Sequence, residues 1–323
     1  MLNIPTELLD IIRTKKNILL SGMGGGFDIY GALPLYYTLE KLGKNVVLAN
    51  YSFSDFKTCI EQGNAEVISN NLIRSVSNFE VGIDYYPEGY LSKFFNIGFQ
   101  KEVPVYMFAK TGTNPLTQSY QYIIDRHEID LIILIDGGVD SLNTGFETGH
   151  GTVVEDSITV ASLSQFQNIE KTIMCIGFGT EVEEKVCGYN VLMNMSNIVK
   201  NNGFLGSCSL VKNSNSFLFY KNACMYAFNC QNLNRTSHIH RRIIPAIEGE
   251  FGDYHMTDED LGTDIFISPF MSICWFFKYD AIFIYNKLLP YVGDSETFFD
   301  VVQRVMPIIN AEKVKIPHNI IPY

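Results

Sequence analysis

The sequence predicts an α/β protein: a doubly wound, mostly parallel Rossmann-like sheet with helices on both faces and a helical C-terminal extension. Two observations predict it. Short apolar runs alternate with segments of helical periodicity, the pattern of strands buried on both faces by crossover helices. Three of these runs pass directly into loops of glycine and carboxylates: Gly22-Met23-Gly24-Gly25-Gly26-Phe27-Asp28, Asp136-Gly137-Gly138-Val139-Asp140-Ser141 and Gly177-Phe178-Gly179-Thr180-Glu181.

Taken in order, residues 5–14 carry the spacing of a short helix and 17–22 (NILLSG) form a buried strand. The first glycine loop opens a helix running to about residue 43. Segments 45–50 (NVVLAN) and 103–109 (VPVYMFA) give the second and third strands, 113–128 a helix, and 131–136 (LIILID) the fourth strand. A helix around 157–167 and a fifth strand at 172–177 (TIMCIG) follow, then helices at 184–202 and 215–232. Residues 265–292 are strongly apolar, but Lys278, Asp280 and Lys287 interrupt them, so they read as core helix and strand and not as a bilayer span. The expected organisation is a single domain, 1–323, in which 1–182 is the sheet half and 183–323 a helix-rich half covering a pocket.

Topology gives the loops their meaning. In the common doubly wound order the first strand lies beside the fourth and the fourth beside the fifth, and ligands bind at the carboxyl edge where the order reverses. The three marked loops follow those three strands, so they are expected to converge.

A chain of 323 residues with 46% hydrophobic content buries a large core, and a formal net charge of -11 without a basic stripe argues against nucleic acid and anionic membrane as partners. Seven cysteines, an odd number without CxxC spacing, fit reduced, mostly buried thiols. The first 16 residues lack the apolar core of a signal peptide, so a cytoplasmic location is expected. A small-molecule ligand is the expected partner, and a homodimer the expected oligomer.

The first loop is not a dinucleotide fingerprint. Phe27 stands where GxGxxG requires its third glycine, and the second strand ends in Asn50 in place of an acid, which disfavours hydride transfer. The amides of Gly24, Gly25 and Gly26 at a helix start suit a phosphate or carboxylate instead. In the long stretch 136–156, Asp136 and Asp140 are placed to face one ligand, while Asp156 reads as a helix cap. The three loops contain neither Lys nor Arg. Either Asp28, Asp136 and Asp140 hold a hard cation such as Mg²⁺, or they accept hydrogen bonds from sugar hydroxyls or a ligand amine. Neighbouring carboxylates also separate one another's protonation, which makes an acid and a base from one residue type.

The GGGFD start at Gly24 to Asp28 and the segment Asp136-Gly137-Gly138-Val139-Asp140-Ser141-Leu142, continuing to Glu147, resemble the domain of unknown function 1152 family of prokaryotic proteins. The resemblance implies a Rossmann-like body and a shared pocket, and no reaction.

Downstream, residues 235–255 hold the densest cluster of His, Arg and acids. His238 and His240 would share a face in a strand, but no third zinc ligand has convincing spacing and HExxH is absent. His240 or His255 is a candidate acid or base, with Arg241 or Arg242 as anion partner, although an exposed basic turn is the simpler account of them. GxSxG is absent, Ser141 has no assigned histidine, and Cys175 and Cys274 lie in apolar runs.

The resulting expectation is an enzyme that hydrolyses or transfers a group on a nucleotide, sugar-nucleotide or phosphorylated metabolite. Asp136, Asp140, Glu181 and His240 are its catalytic candidates. Gly24, Gly25, Gly26, Asp28, Gly137, Gly138, Ser141, Gly177, Gly179 and Thr180 line the ligand. Mg²⁺ is the cofactor such a site admits, and an NAD-type ligand stays open as substrate. A non-catalytic nucleotide sensor using the same pocket is the alternative.

Overall fold

The computed structural model describes residues 1–147, 149, 151–231, 235–257, 261–262 and 265–311. The chain runs α1 (Thr6–Arg13), β1 (Asn17–Gly22), α2 (Asp28–Gly31), α3 (Leu33–Lys41), β2 (Asn45–Tyr51), α4 (Phe56–Glu61), β3 (Ala65–Ser69), β4 (Leu72–Ser75), α5 (Pro87–Phe99), β5 (Val105–Phe108), α6 (Thr113–His127), β6 (Leu131–Asp136), α7 (Val153–Leu163) and β7 (Glu170–Ile176). It continues through α8 (Gly188–Lys200), β8 (Phe204–Ser209), α9 (Asn215–Cys230), α10 (His238–Glu248), β9 (Ile273–Lys278), α11 (Tyr279–Tyr285), α12 (Leu289–Val292) and α13 (Phe298–Ala311).

Among the described residues nine strands form one sheet in the order β3-β4-β5-β2-β1-β6-β7-β9-β8. The central run β5-β2-β1-β6-β7 is parallel, and these are the five strands the sequence predicts, in third-second-first-fourth-fifth order. The order reverses at β1, so β1, β6 and β7 are neighbours and their carboxyl ends share one edge. Antiparallel strands extend both sides, β4 and β3 beyond β5, and β9 and β8 beyond β7.

The continuous apolar run of β6 is explained by the two cores it serves. Leu131, Ile133 and Ile135 pack on one face with residues of α1, α3, α5 and α9; Ile132 and Leu134 pack on the other with residues of α6, α7 and α13. Successive side chains of a strand alternate faces, so a strand covered twice needs apolar groups at every position. Leu134 is fully buried. Leu134→Ala is therefore expected to cost about 2–5 kcal/mol, read as a lower urea midpoint at unchanged slope.

Several expectations are corrected. The helix after the first loop is two helices, because Pro34 in the first turn of α3 lacks the amide that would continue α2. The hairpin β3-β4 and helix α5 were not foreseen; β3 is largely exposed, so its sequence has no apolar run to betray it. The helix expected from 157 begins at Val153, so 136–156 is not a structureless stretch. It contains a 3-10 turn at Asp140–Leu142, and its Thr148 and His150 lie outside the described residues. Asn232, the last residue of another expected helix, also lies outside them. The second half supplies β8 and β9 to the same sheet; β9 lies in 265–292, which was read as core helix and strand, and β8 was not foreseen. Among the described residues no helix is long and apolar enough to cross a membrane.

Candidate functional site

The three glycine loops meet at the carboxyl edge and are tied together by carboxylate-to-amide hydrogen bonds. Asp28 Oδ2 accepts from Gly24 N (2.7 Å) and Gly25 N (3.0 Å), and its Oδ1 accepts from Gly137 N (3.2 Å), joining the first loop to the second. Glu181 Oε2 accepts from Val139 N (2.7 Å), joining the third loop to the second. Asp136 closes its own loop, accepting from Gly138 N (2.8 Å) and Ser141 N (3.1 Å). Asp140 accepts from the backbone amide and the hydroxyl of Thr152, which fixes the start of α7.

Two glycines are required by this closeness. Gly25 sits at φ +111, and a Cβ there would lie 2.4 Å from the Phe53 ring; a Cβ at Gly138 would lie 2.5 Å from the Glu181 carboxyl carbon. The expected anion cradle is corrected in one respect. The amides of Gly24 and Gly25 are taken by Asp28, leaving Gly26 and Phe27 as the loop's remaining donors. Asn50, at the end of β2, donates to the Gly26 carbonyl and to Glu88, so it supports the loop's underside.

A cavity of about 230 Å³ opens beside these loops. Its floor is Gly25, Gly26, Asp28, Gly137 and Glu181, and its far wall is Thr152. Phe53 and Tyr85 flank it, and the first turn of α10 with Ser237 covers it. A larger hollow of about 370 Å³ lies at the other end of β7, lined by Glu170, Lys171 and Tyr279 among others, and no glycine loop reaches it.

Five acids crowd at this edge: Asp28 and Glu181 line the cavity, and Asp136, Asp140 and Asp156 lie close to them. Burial raises Asp28 to about 8, and the charge of Asp136 adds to the effect. Asp140 is pushed well above the usual carboxylate range first by burial and then by Asp136 and Asp28, and Glu181 first by burial and then by Asp140 and Asp136. Asp136 is also raised by burial, tempered by its bonds from Ser141 and Gly138. None of the five is paired with a Lys or Arg among the described residues.

Residues 96–312 match the family model described as "Protein of unknown function (DUF1152)". The chain belongs to this family. No curated protein and no solved structure matches it. The DUF1152 segment contains Asp136, Asp140, Asp156, Glu181 and His238, whereas the first glycine loop and Phe53 precede it.

In this DUF1152 chain Asp156 is not a cap. Thr152 holds the capping position and Asp156 lies one turn inside α7, 1% exposed, with both carboxylate oxygens lacking a hydrogen-bond partner. The signal was legible, since Thr152-Val153-Val154-Glu155 has the S/T-x-x-E spacing of a helix start.

The histidines are also repositioned. His238 and His240 begin a helix capped by Ser237 instead of sharing a strand face, and the segment is buried, not an exposed basic turn. His240 is fully buried, with Nδ1 2.7 Å from the Tyr220 hydroxyl and Nε2 2.9 Å from the Phe27 carbonyl. Burial lowers it to about 4. With both nitrogens engaged it holds the first loop in place and has no free position for acid or base work. His238 instead lines the cavity, its Nε2 3.0 Å from Glu184 Oε1. Arg242 is buried against Glu183 and the Thr180 carbonyl, so it braces the third loop and is not an anion partner in the pocket. Arg241 donates to Thr236 (2.9 Å), and His255 lies 2.8 Å from Asp253.

The remaining candidates are structural. Ser141 packs against Cys175 (3.4 Å), and the Thr180 hydroxyl closes its own turn on Gly177 (2.7 Å), where Gly177 and Gly179 both have positive φ. Among the described residues, the one set of three metal-ligand side chains whose donor atoms lie within 4.8 Å of one another is Glu183, Glu184 and His238. The expected set Asp28, Asp136 and Asp140 does not converge so closely. Its oxygens are turned toward loop amides and Thr152. Phe53, Tyr85 and Glu184 carried no signal in the sequence, because only the fold brings them to this edge, and His238 was weighed only as a zinc ligand.

Proposed function

We propose that this protein binds a nucleotide, sugar-nucleotide or related phosphorylated metabolite in the cavity at the switch point and hydrolyses or transfers a group on it. The observation that carries the proposal is the pairing of two unlike proton carriers on one cavity. Glu181 faces it as a carboxyl kept protonated by burial and neighbouring charge, and His238 faces it beside Glu184. A carboxyl and an imidazole on one cavity are the two group types that general acid and base catalysis most often uses.

In this scheme Glu181 donates its proton to the leaving group while His238, oriented by Glu184, takes one from water or another acceptor. Asp28, Asp136 and Asp140 hold the loops. Aromatic walls at Phe53 and Tyr85 suit a base or sugar ring, and the uncommitted donors at Gly26 and Phe27 suit an anionic oxygen. The size bears on the substrate class: a cavity of about 230 Å³ is smaller than the roughly 300–1,000 Å³ typical of drug-sized ligands. It takes one ring-sized portion, so a dinucleotide would leave much of itself outside.

Phe53 is 41% exposed and lies across the mouth beside Gly25. Phe53→Ala is expected to raise KM about 5- to 100-fold with kcat little changed, the loss of a stacking contact worth ~1–3 kcal/mol. The activity itself is tested by incubating the protein with nucleosides, nucleotides, sugar nucleotides and sugar phosphates and following release of base, sugar or phosphate. Release that fails in Glu181→Gln supports the proposal. A ligand that binds in the cavity and is never turned over would favour the sensor reading.

A further inference from the structure

Asp156 is the group that the scheme above leaves unused. It is 1% exposed, neither of its oxygens has a hydrogen-bond partner, and the charges nearest it are the carboxylates of Asp140, Asp136, Asp28 and Glu155. A buried carboxylate surrounded by carboxylates needs a proton or a cation, because the cost of desolvating it is otherwise uncompensated.

Geometry favours a cation at one corner. A Cβ on Gly24 would lie 2.5 Å from Thr152 Oγ1, 2.6 Å from Asp156 Oδ1 and 3.1 Å from Asp28 Oδ2. Three oxygens from α7 and the first loop therefore converge on one point beside Gly24, packed closely enough to leave no room for a side chain there. Asp140 adjoins them, since its Oδ2 is 3.1 Å from Thr152 Oγ1. Thr152 lines the cavity, and Asp156 follows it by one helical turn on the same face.

We propose that this corner beside Gly24 holds a hydrated divalent cation of the Mg²⁺ type with Asp156, whose oxygens are unpartnered, as its direct carboxylate ligand, and with Asp28, Asp140 and Thr152, whose oxygens are committed within the loops, reached through the cation's waters. All four donors are oxygen, which selects hard cations over zinc or copper. The three carboxylates do not bring one oxygen each within 4.8 Å of one another. That spacing suits Mg²⁺, which keeps several waters and takes one or two carboxylates, better than Ca²⁺, which takes six to eight oxygens. The inference is independent of the ligand's identity, although a cation here would meet a phosphate entering past Thr152.

The test is calorimetric titration of the full chain with MgCl₂ and CaCl₂ at pH 8 and constant ionic strength, after EDTA treatment, alongside thermal melting. Saturable Mg²⁺ binding that weakens at least tenfold in Asp156→Asn is the expected result, with that variant melting at or above wild type in EDTA because a neutral amide has neither the charge nor the proton uptake that a buried carboxyl imposes on folding. Gly24→Ala should weaken Mg²⁺ binding without changing any charge. Glu183→Gln, in the competing cluster, should leave Mg²⁺ affinity unchanged. Absence of saturable binding to wild type overturns the inference, as does equal affinity in Asp156→Asn, or loss in Glu183→Gln alone. Mg²⁺ binding without response to any nucleotide or sugar ligand would keep the cation and sink the proposed function; ligand binding by a chain that shows no saturable Mg²⁺ binding would do the reverse.

Discussion

Glu181→Gln is expected to lower kcat by about 10²- to 10⁴-fold while leaving KM within a few-fold, the signature of a lost proton donor. The substitution keeps the shape of the side chain and its acceptor for the Val139 amide, so the junction between the second and third loops survives. What disappears is the acidic proton that burial holds on Glu181. A companion change, Asp28→Asn, disturbs the loops themselves, because Asp28 receives amides from Gly24, Gly25 and Gly137. Its loss should raise KM as well as lower kcat. Steady-state kinetics on the first substrate identified would separate the two, and an unchanged kcat in Glu181→Gln would remove Glu181 from the chemistry.

The second large effect is on stability against pH. In the unfolded chain the five carboxyls ionise near pH 4, but in the folded chain burial holds Asp28 to about 8 and shifts Asp136, Asp140, Asp156 and Glu181 in the same direction. The folded state thus keeps protons that the unfolded state releases, so their contribution is full at acidic pH and is lost as pH rises from about 4 through the folded values. His240 runs the other way. Buried and held near 4, it contributes stability above about pH 6.5 that is lost as pH falls towards 4. In EDTA, stability should therefore climb from pH 8 to pH 6.5 by on the order of a few kcal/mol, then climb less steeply as His240 opposes the trend. Urea unfolding at fixed salt across this range is the check, and stability that rises from pH 6.5 to 8 would contradict the buried acid cluster.

The parallel core was legible because its physics is local. Each of β1, β2, β5, β6 and β7 is covered on both faces and so announces itself as an apolar run, and the strand order followed from a general rule of doubly wound sheets. The edge strands were not, since β3 exposes much of its surface and β8 is interrupted by Gly206 at positive φ. The convergence of the three loops was legible for the same reason as the core.

The division of labour inside the site was not. Asp28 and Asp140 look like ligands in sequence, and only the structure shows their oxygens turned back onto Gly24, Gly25, Gly137 and Thr152. His240 looked free and is locked between Phe27 and Tyr220, residues distant in the chain. His238, two positions earlier in the first turn of α10, is half-buried and reaches the cavity. A two-residue step on a helix changes the face by about 200°, which a strand assignment for the same segment reverses.

The central claim is that the switch-point cavity holds a nucleotide-like or sugar-containing ligand. It is tested most directly by thermal-shift titration of the full chain and of Glu181→Gln against nucleosides, nucleoside monophosphates, ATP, ADP-ribose, NAD and sugar phosphates, each with Mg²⁺ and with EDTA. A ligand at about a hundred times its Kd should add ~2.7 kcal/mol of stability, and the account predicts such a shift for one class, preserved in Glu181→Gln and reduced in Phe53→Ala. No shift with any of these ligands, or a shift that Phe53→Ala leaves untouched, would contradict it.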